Sequence, residues 1–430
     1  MSELRKVSLK EIVTFKYGKT IRKQDIEETG AYPVFSGYQV VGYLPEFMYS
    51  ESQLIIVCRG AGGTGDIKLS PKKCSITNLA IVITCNEETV DKGYLYWRLK
   101  LSDTYSLRTG SAQPQITINT LETFEVDIEP CLDKQKEIAR QLFAITDNIE
   151  INHQINQTLE QMAQAIFKSW FVDFEPVKAK IAALDAGGSE DDALLAAMQA
   201  IASSALFTTD IADTDAPTQL ARLQTEHPEQ YTTLRATAEL FPSAMQESEL
   251  GEIPEGWSVG SVSDLFELHR GFDLPKNSRE EGPFEVYAAG GLHGTHSEFK
   301  MEPPGIITGR SGVIGNVYLS LKKYWPLNTT LYVREFRACG PYYAYHLLGS
   351  LDLKALNSGS AVPSLNRNFV HSMSTLNPKS ELLAKFESIA GSLFKKMVGN
   401  IDQNVSLENL RDTLLPKLLS GELSVNQDTD

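Results

Sequence analysis

Asp133–Trp170, DKQKEIARQLFAITDNIEINHQINQTLEQMAQAIFKSW, runs for 38 residues without proline or glycine. Ile138, Leu142, Ile145, Ile149, Leu159, Ala163, Ile166 and Trp170 fall along it in steps of four and three, and Asn152 and Asn156 occupy the two seam positions between. That spacing is a coiled-coil seam, in which a polar residue costs stability and fixes register. At about 1.5 Å per residue the helix is roughly 57 Å long, more seam than one small domain covers. A second run, Glu381–Leu419, carries Ile389, Leu393, Met397, Ile401, Val405, Leu410 and Leu414, and its LENL at 407–410 matches LEQM at 159–162. The two helices are expected to pair with each other, antiparallel, about a pseudo-twofold axis.

Outward from the helices the chain repeats itself. Leu9–Lys23 resembles Val262–Lys276, GAYPVFSG at 30–37 resembles GPFEVYAAG at 282–290, and Leu54–Ile67 (LIIVCRGAGGTGDI) resembles Gly305–Val317 (GIITGRSGVIGNV). Asn78 falls on Asn328, YLYWRL at 94–99 on YAYHLL at 343–348, and GSAQPQI at 110–116 on GSAVPSL at 359–365. Matches that keep their order at a near-constant offset mark a duplicated domain. Short β-rich runs (LIIVC, LAIVI, GIIT, TLYV) lie between Gly, Pro, Asn and Ser, with helices expected at Lys92–Leu101 and Pro341–Leu351. The fold class is therefore α+β: two tandem domains, each a mixed, curved β-sheet with few helices, each followed by a long helix. The expected boundaries are 1–130 for the first domain, 131–180 for the first long helix and 181–256 for a linker. Residues 257–378 form the second domain, 379–423 the second long helix and 424–430 a tail.

The 430 residues carry a net charge of −15, which on its face disfavours a polyanionic partner. The charge is unevenly placed. Residues 181–256 hold 14 Asp or Glu and two Arg, whereas 1–130 hold 15 basic and 16 acidic residues and 257–378 hold 11 and 10. The two domains are near neutral and the acidity belongs to the linker. No apolar run is long enough to span a bilayer, MSELRKVSLKEIV lacks a signal-peptide core, and five scattered cysteines read as reduced thiols, so a cytoplasmic location is expected.

Signatures of catalysis are missing: no Walker lysine, no nucleophile elbow, no HExxH pair and no Asn/Asp-Pro-Pro-aromatic motif. Gly60–Gly65 (GAGGTG) spells a nucleotide-binding turn, but that turn requires a helix next. DIKLSPKK alternates and meets Pro71, so a glycine-rich hairpin is the better reading. His293 and His296 read as surface-loop histidines, and Glu125, Asp127 and Glu129 as a solvent-facing edge. No metal site is expected.

Taken with FKSWFVDFEPVKAK at 167–180, SELGEIPEGW at 248–257 and LPKLLSGEL at 415–423, the repeated GSAQPQI and GSAVPSL turns make the chain resemble the specificity subunit of a type I restriction-modification system. The resemblance implies a non-catalytic chain with two target-recognition domains, each reading half of a split double-stranded DNA site across a non-specific spacer. It implies that the helices set the spacer and dock two modification subunits, with restriction subunits joining the same core. S-adenosylmethionine, ATP and Mg belong to those partners and no cofactor to this chain. A type IIB specificity subunit, and an acidic scaffold or DNA mimic, are the alternative readings.

Side chains suited to base edges and phosphates cluster in equivalent loops. In the first copy they are Tyr17, Lys19, Arg22, Lys23, Arg59, Lys72, Lys73, Arg108 and Gln113. In the second they are Arg270, Lys276, Arg279, Arg310, Lys322, Lys323, Asn366 and Arg367. Asn78 and Asn328 read as structural caps.

Overall fold

The computed structural model describes residues 4–60, 63–110, 114–206, 216–359 and 361–423. It divides into two units, Met1–Asn152 with Asp402–Asp430, and His153–Ile401.

Each unit is entered through the same device. Ser8 and Ser261 open one-turn helices, Leu9–Ile12 and Val262–Leu265, whose third residues, Glu11 and Asp264, reach back to the serine N–H and complete a capping box. A strand follows each turn. In the first unit Val13–Tyr17 pairs with Ala80–Cys85, then Leu54–Val57, then Ile67–Leu69, all antiparallel. In the second, Phe266–Arg270, Thr330–Phe336, Gly305–Gly309 and Val317–Ser320 take the same order.

A three-stranded sheet accompanies each: Val40–Leu44, Tyr32–Phe35, Ser75–Ile76, and Gly291–His296, Phe284–Ala288, Tyr324–Pro326. Both contain one antiparallel and one parallel pair. A two-stranded ladder, Arg5–Ser8 with Glu125–Ile128 or Ser258–Ser261 with Ser374–Asn377, brings the chain back to the start of a long helix. The strand content is thus divided among separate sheets.

Those helices are Leu132–Phe171 and Ser380–Leu419. The first stops at Phe171, short of the expected residue 180. Phe174 takes a left-handed backbone (φ 55°) there, and Pro176 begins a new helix, Glu175–Asp185.

Pairing of the two is antiparallel, as expected. In the first unit the Asn152 amide donates to Asn404 Oδ1 (2.8 Å) and Gln403 Oε1 (3.2 Å), and Asn404 donates to the Ile149 carbonyl. In the second, Asn400 donates to Asn156 Oδ1 (2.8 Å). Ile138 and Leu142 are buried in the first unit, where Leu418 and Leu419 join their core and Leu414 packs beside it; Ile149 is buried and Ile145 half-buried further along the helix. Leu159, Ile166 and Trp170 are buried in the second unit with Phe386 and Met397, and Ile389, Leu393 and Ile401 are half-buried.

The second seam differs from the expected one. It runs through Leu383, Ala390, Met397, Asn404, the half-buried Arg411 and Leu418, positions separated by sevens. Val405 and Leu410 lie to one side, each 46% exposed. The apolar pattern skipped the buried asparagine that the seam passes through.

The joint between each domain and its helix is solved twice with the sizes exchanged. Helix Lys92–Leu101 places Gly93 against Phe143: a Cβ at Gly93 would lie 2.8 Å from the Phe143 ring and 3.1 Å from Ala139 Cβ. In helix Pro341–Ser350 the equivalent residue is Tyr342, and the long helix supplies Gly391, whose Cβ would meet the Tyr342 ring at 3.3 Å. Capping is exchanged likewise. Asp91 caps its own helix by accepting from the Tyr94 N–H (2.8 Å). Gly340 has no side chain, and Glu387 of the long helix accepts from the Tyr343 (2.6 Å) and Tyr342 (3.3 Å) N–H groups instead. Burial pushes the Glu387 carboxyl up, and those two donors oppose the shift.

The acidic 181–256 stretch folds within the second unit. Glu190–Leu206, Ala216–Glu226 and Pro228–Glu239 follow Glu175–Asp185, and Ala197, Met198, Ile201, Leu220 and Phe241 join the core around Trp170. Lys180 is buried and donates to the Phe241 carbonyl (2.6 Å), with its pKa lowered by burial. Among the described residues no helix is long and apolar enough to cross a membrane.

Candidate nucleic-acid interface

In each unit two loops distant in sequence are stitched at one place. The first follows the central strand Leu54–Val57 or Gly305–Gly309. The second is the GSAQPQI or GSAVPSL segment. In the first unit Ile116 donates to the Cys58 carbonyl (3.0 Å) and Arg59 bridges Gln115. In the second, Leu365 donates to the Arg310 carbonyl (2.8 Å) and Ser311 bridges Ser364. The loop after Gly60 leads into strand Ile67–Leu69, which fits a hairpin and leaves no helix for a dinucleotide turn. Asn78 donates to Thr20 Oγ1 and Asn328 to Asp273 Oδ1, the same tie in both units.

Around the first pair of loops the fold gathers Tyr17, Arg59 and Arg108. The Arg59 guanidinium lies 5.8 Å from the Tyr17 ring centroid, and Arg108 lies 4.3 Å from that of Tyr105. Tyr38 donates to the Arg59 carbonyl (2.7 Å), and Gly60 (φ 137°) leaves room for that ring, since a Cβ there would meet the Tyr38 hydroxyl at 2.1 Å. Arg108 Nε donates to the Thr64 carbonyl (2.6 Å), and Asp66 accepts from the Tyr105 hydroxyl, which raises the Tyr105 pKa. Tyr17 and Lys19 also line a cleft of about 500 Å³ with Phe47 and Tyr49. Tyr38, Asp66 and Tyr105 escaped sequence reasoning because their roles arise only when the loops meet.

Several other side chains serve the fold. Arg310 Nη1 donates to the Asn328 carbonyl (3.2 Å) and Arg367 Nη1 to the Leu268 carbonyl (3.4 Å), while Asn366 caps helix Arg367–His371. Arg270 pairs with Asp273 (3.3 Å), and Lys323 with Glu302 (2.9 Å) while lying over Phe299. Lys72 pairs with Glu51 at 3.7 Å.

Lys72, Lys73, Lys322 and Lys323 precede the strands Ser75–Ile76 and Tyr324–Pro326 and belong to neither of the stitched loops. Arg279 lines a pocket of about 320 Å³ with Asp273, His293, Asn328 and Thr329. Lys19, Arg22, Lys23, Lys73, Lys276 and Lys322 make no ion pair among the described residues. Gln113 lies outside the described residues.

Two sequence readings are corrected. His296 is buried in strand Gly291–His296 against Trp325 and is no surface-loop residue; His293 is exposed. Glu129 is buried and accepts from the Cys131 N–H, and Asp127 pairs with Arg98, leaving only Glu125 of that trio fully at the surface. Among the described residues no group of three His, Cys, Asp or Glu is placed to hold a metal.

The model of the type I restriction modification DNA specificity domain matches residues 1–161 and 254–374, once over each copy. The chain belongs to the type I restriction-modification specificity family. It is 32% identical over 342 residues to the type I restriction enzyme HindI specificity subunit of Haemophilus influenzae, covering 72% of this chain and 71% of that one. To the MjaIX specificity subunit of Methanocaldococcus jannaschii it is 24% identical, covering 78% and 69%. The crystal structure of a type I restriction-modification S subunit from M. genitalium superposes with a TM-score of 0.57 at 18% identity, over 97% of this chain and 96% of that one. The likeness to that specificity subunit extends through both domains and both long helices.

Proposed function

We propose that this chain chooses the DNA sequence on which a type I complex acts and performs no bond chemistry itself. Each domain reads one half of a split site with a non-specific spacer between. The paired long helices set the spacer and dock two modification subunits, which hold S-adenosylmethionine and methylate adenine. Restriction subunits that use ATP and Mg join the same core, and this chain binds none of these cofactors.

The observation that carries the reading is the stitched loop pair, built between the same two loops in both units with its register displaced by one residue, and presenting different side chains. A shared backbone frame with unlike surfaces suits two readers of unlike sequences, because phosphate contacts position a protein while base edges specify the site. The near-neutral domains imply that partner subunits supply further cations to the phosphates. A DNA mimic would carry a net acidic charge on its domains, and here most of the net negative charge belongs to the 181–256 stretch. The relatives' type I assignment supports that partner set over a type IIB one.

Methylation mapping of a host with and without this chain and its cognate modification subunit tests the proposal. A bipartite adenine motif should be present only when both are supplied. Methylation that does not depend on this chain would refute it. Gel shifts of the assembled complex should show sequence-dependent binding weakened by salt.

A further inference from the structure

The stitched loops of the second domain present an apolar pair to solvent. Val313 is 45% and Val362 57% exposed. They lie beside the stitch: Ser311 bridges Ser364, Gly312 donates to the Pro363 carbonyl (2.9 Å), and Val313 and Val362 are the residues that follow and precede these in the chain. Both loops are held tightly. A Cβ at Gly309 would fall 1.8 Å from the Val313 carbonyl oxygen, and one at Gly359 would fall 2.0 Å from that of Val362. The repeat places Val362 on Gln113, so this position accepts a polar residue in the first copy and an apolar one here.

We propose that Val313 and Val362 form an apolar reader that packs on the 5-methyl group of thymine in the half-site taken by the second domain. This rests on the DNA-specificity reading above and gives it chemical content. Thymine's methyl is the one apolar group that a base edge displays in the major groove. Cations lie nearby in the chain: Arg310, whose Nη1 donates to the Asn328 carbonyl, is in the same loop as Val313, and Lys354 lies across Gly315, whose Cβ would meet the lysine chain at 2.5 Å. That combination fits a polyanion carrying a methyl group. Two valines are far less than the several hundred square ångströms of apolar surface that mark a protein-docking patch.

The test uses the chain assembled with its modification subunit. The bipartite motif is mapped first, and the second domain's half-site is the one that changes when 257–378 is exchanged. Duplexes are then made with each thymine of that half-site replaced by deoxyuridine, which removes only the methyl. At the contacted position the wild-type complex should lose roughly fourfold in affinity, the worth of burying one methyl-sized group.

The V313A/V362A complex should bind both duplexes alike, and the conservative V313T/V362T complex should keep part of the discrimination. Equal binding of thymine and uracil duplexes by the wild-type complex would overturn the proposal. So would persistent discrimination by the alanine variant, a half-site without A·T pairs, or loss of the modification subunit as the variant's only defect. The duplex substitution does not depend on how the variants fold. Absence of any chain-dependent motif would instead refute the parent reading, and this one with it.

Discussion

Gly93 and Phe143 allow the joint between a recognition domain and its helix to be measured. Introducing tyrosine at Gly93 copies the second unit's Tyr342 into the first. The new Cβ alone would lie 2.8 Å from the Phe143 ring, inside any relaxed contact, so overpacking should destabilise this joint by about 1–3 kcal/mol. Phe143→Gly alone removes the ring that stacks on Tyr96 (5.6 Å between centroids) and contacts Trp97 (5.5 Å), and it adds a helix glycine. Because Phe143 is only half-buried, its loss should fall near the low end of the ~3–5 kcal/mol for a core phenylalanine, with about 1 kcal/mol more for the glycine.

The double variant recreates the Tyr342–Gly391 arrangement and should cost less than the sum by about 1–3 kcal/mol. Hydrogen–deuterium exchange over 92–101 and 132–152 reads this locally, without assuming that the whole chain unfolds in one step. The coupling then shows as roughly a 5- to 150-fold difference in opening. Additive single effects, or an unperturbed Gly93→Tyr, would refute the idea that the glycine reserves space for the ring.

Other outcomes follow from the same geometry. Asn404→Leu removes the nearer of the two acceptors of the buried Asn152 amide, leaving Gln403 at 3.2 Å, and should destabilise the helix pair by about 1 kcal/mol, whereas the Asn152→Leu/Asn404→Leu double variant should recover most of that in thermal melts while loosening register, read by cysteine cross-linking. His346 is buried against Phe167 with its pKa lowered to about 4 from 6.5. The unfolded chain therefore takes up its proton first, so stability present above pH 6.5 is lost as pH falls through that window, and His346→Phe should reduce the loss in melts at stepped pH. Under the proposed function, lengthening the spacer needs seven residues in both long helices, because insertion into one alone breaks the asparagine pairing. The matched pair should add about 10 Å, near three base pairs, with both half-sites unchanged in methylation maps.

Much of the architecture was legible because it is periodic or repeated. The four-three spacing from Ile138 to Trp170 located the first seam, and the ordered matches located the duplication. The second seam was harder, since Asn404 occupies it while exposed Val405 and Leu410 imitate it. The acidity of 181–256 leaves its packing open in the sequence, and its buried face mixes small Ala193 and Ala197 with Met198, Ile201 and Leu220. At the candidate interface, the sequence nominated Arg59 and Arg108, which the fold gathers beside the stitched loops, and did not point to the exposed Val313 and Val362. It also selected Arg310, Arg367 and Asn366, which the fold employs in backbone contacts. Composition can nominate a side chain for DNA, but only tertiary placement distinguishes it from a cap or a brace.

The asparagine pairing has an evolutionary consequence. Asn152 bonds Asn404, the repeat image of Asn156, and Asn156 bonds Asn400, the repeat image of Asn152. The seam is therefore self-complementary, the property of an isologous contact between identical molecules. A half-length chain with one domain and one helix has the donors and acceptors to form a homodimer through the same bonds, and under the proposed function such a dimer would read a palindrome. Under that function, fusing two copies into one gene would release the readers from that symmetry while the helices keep it.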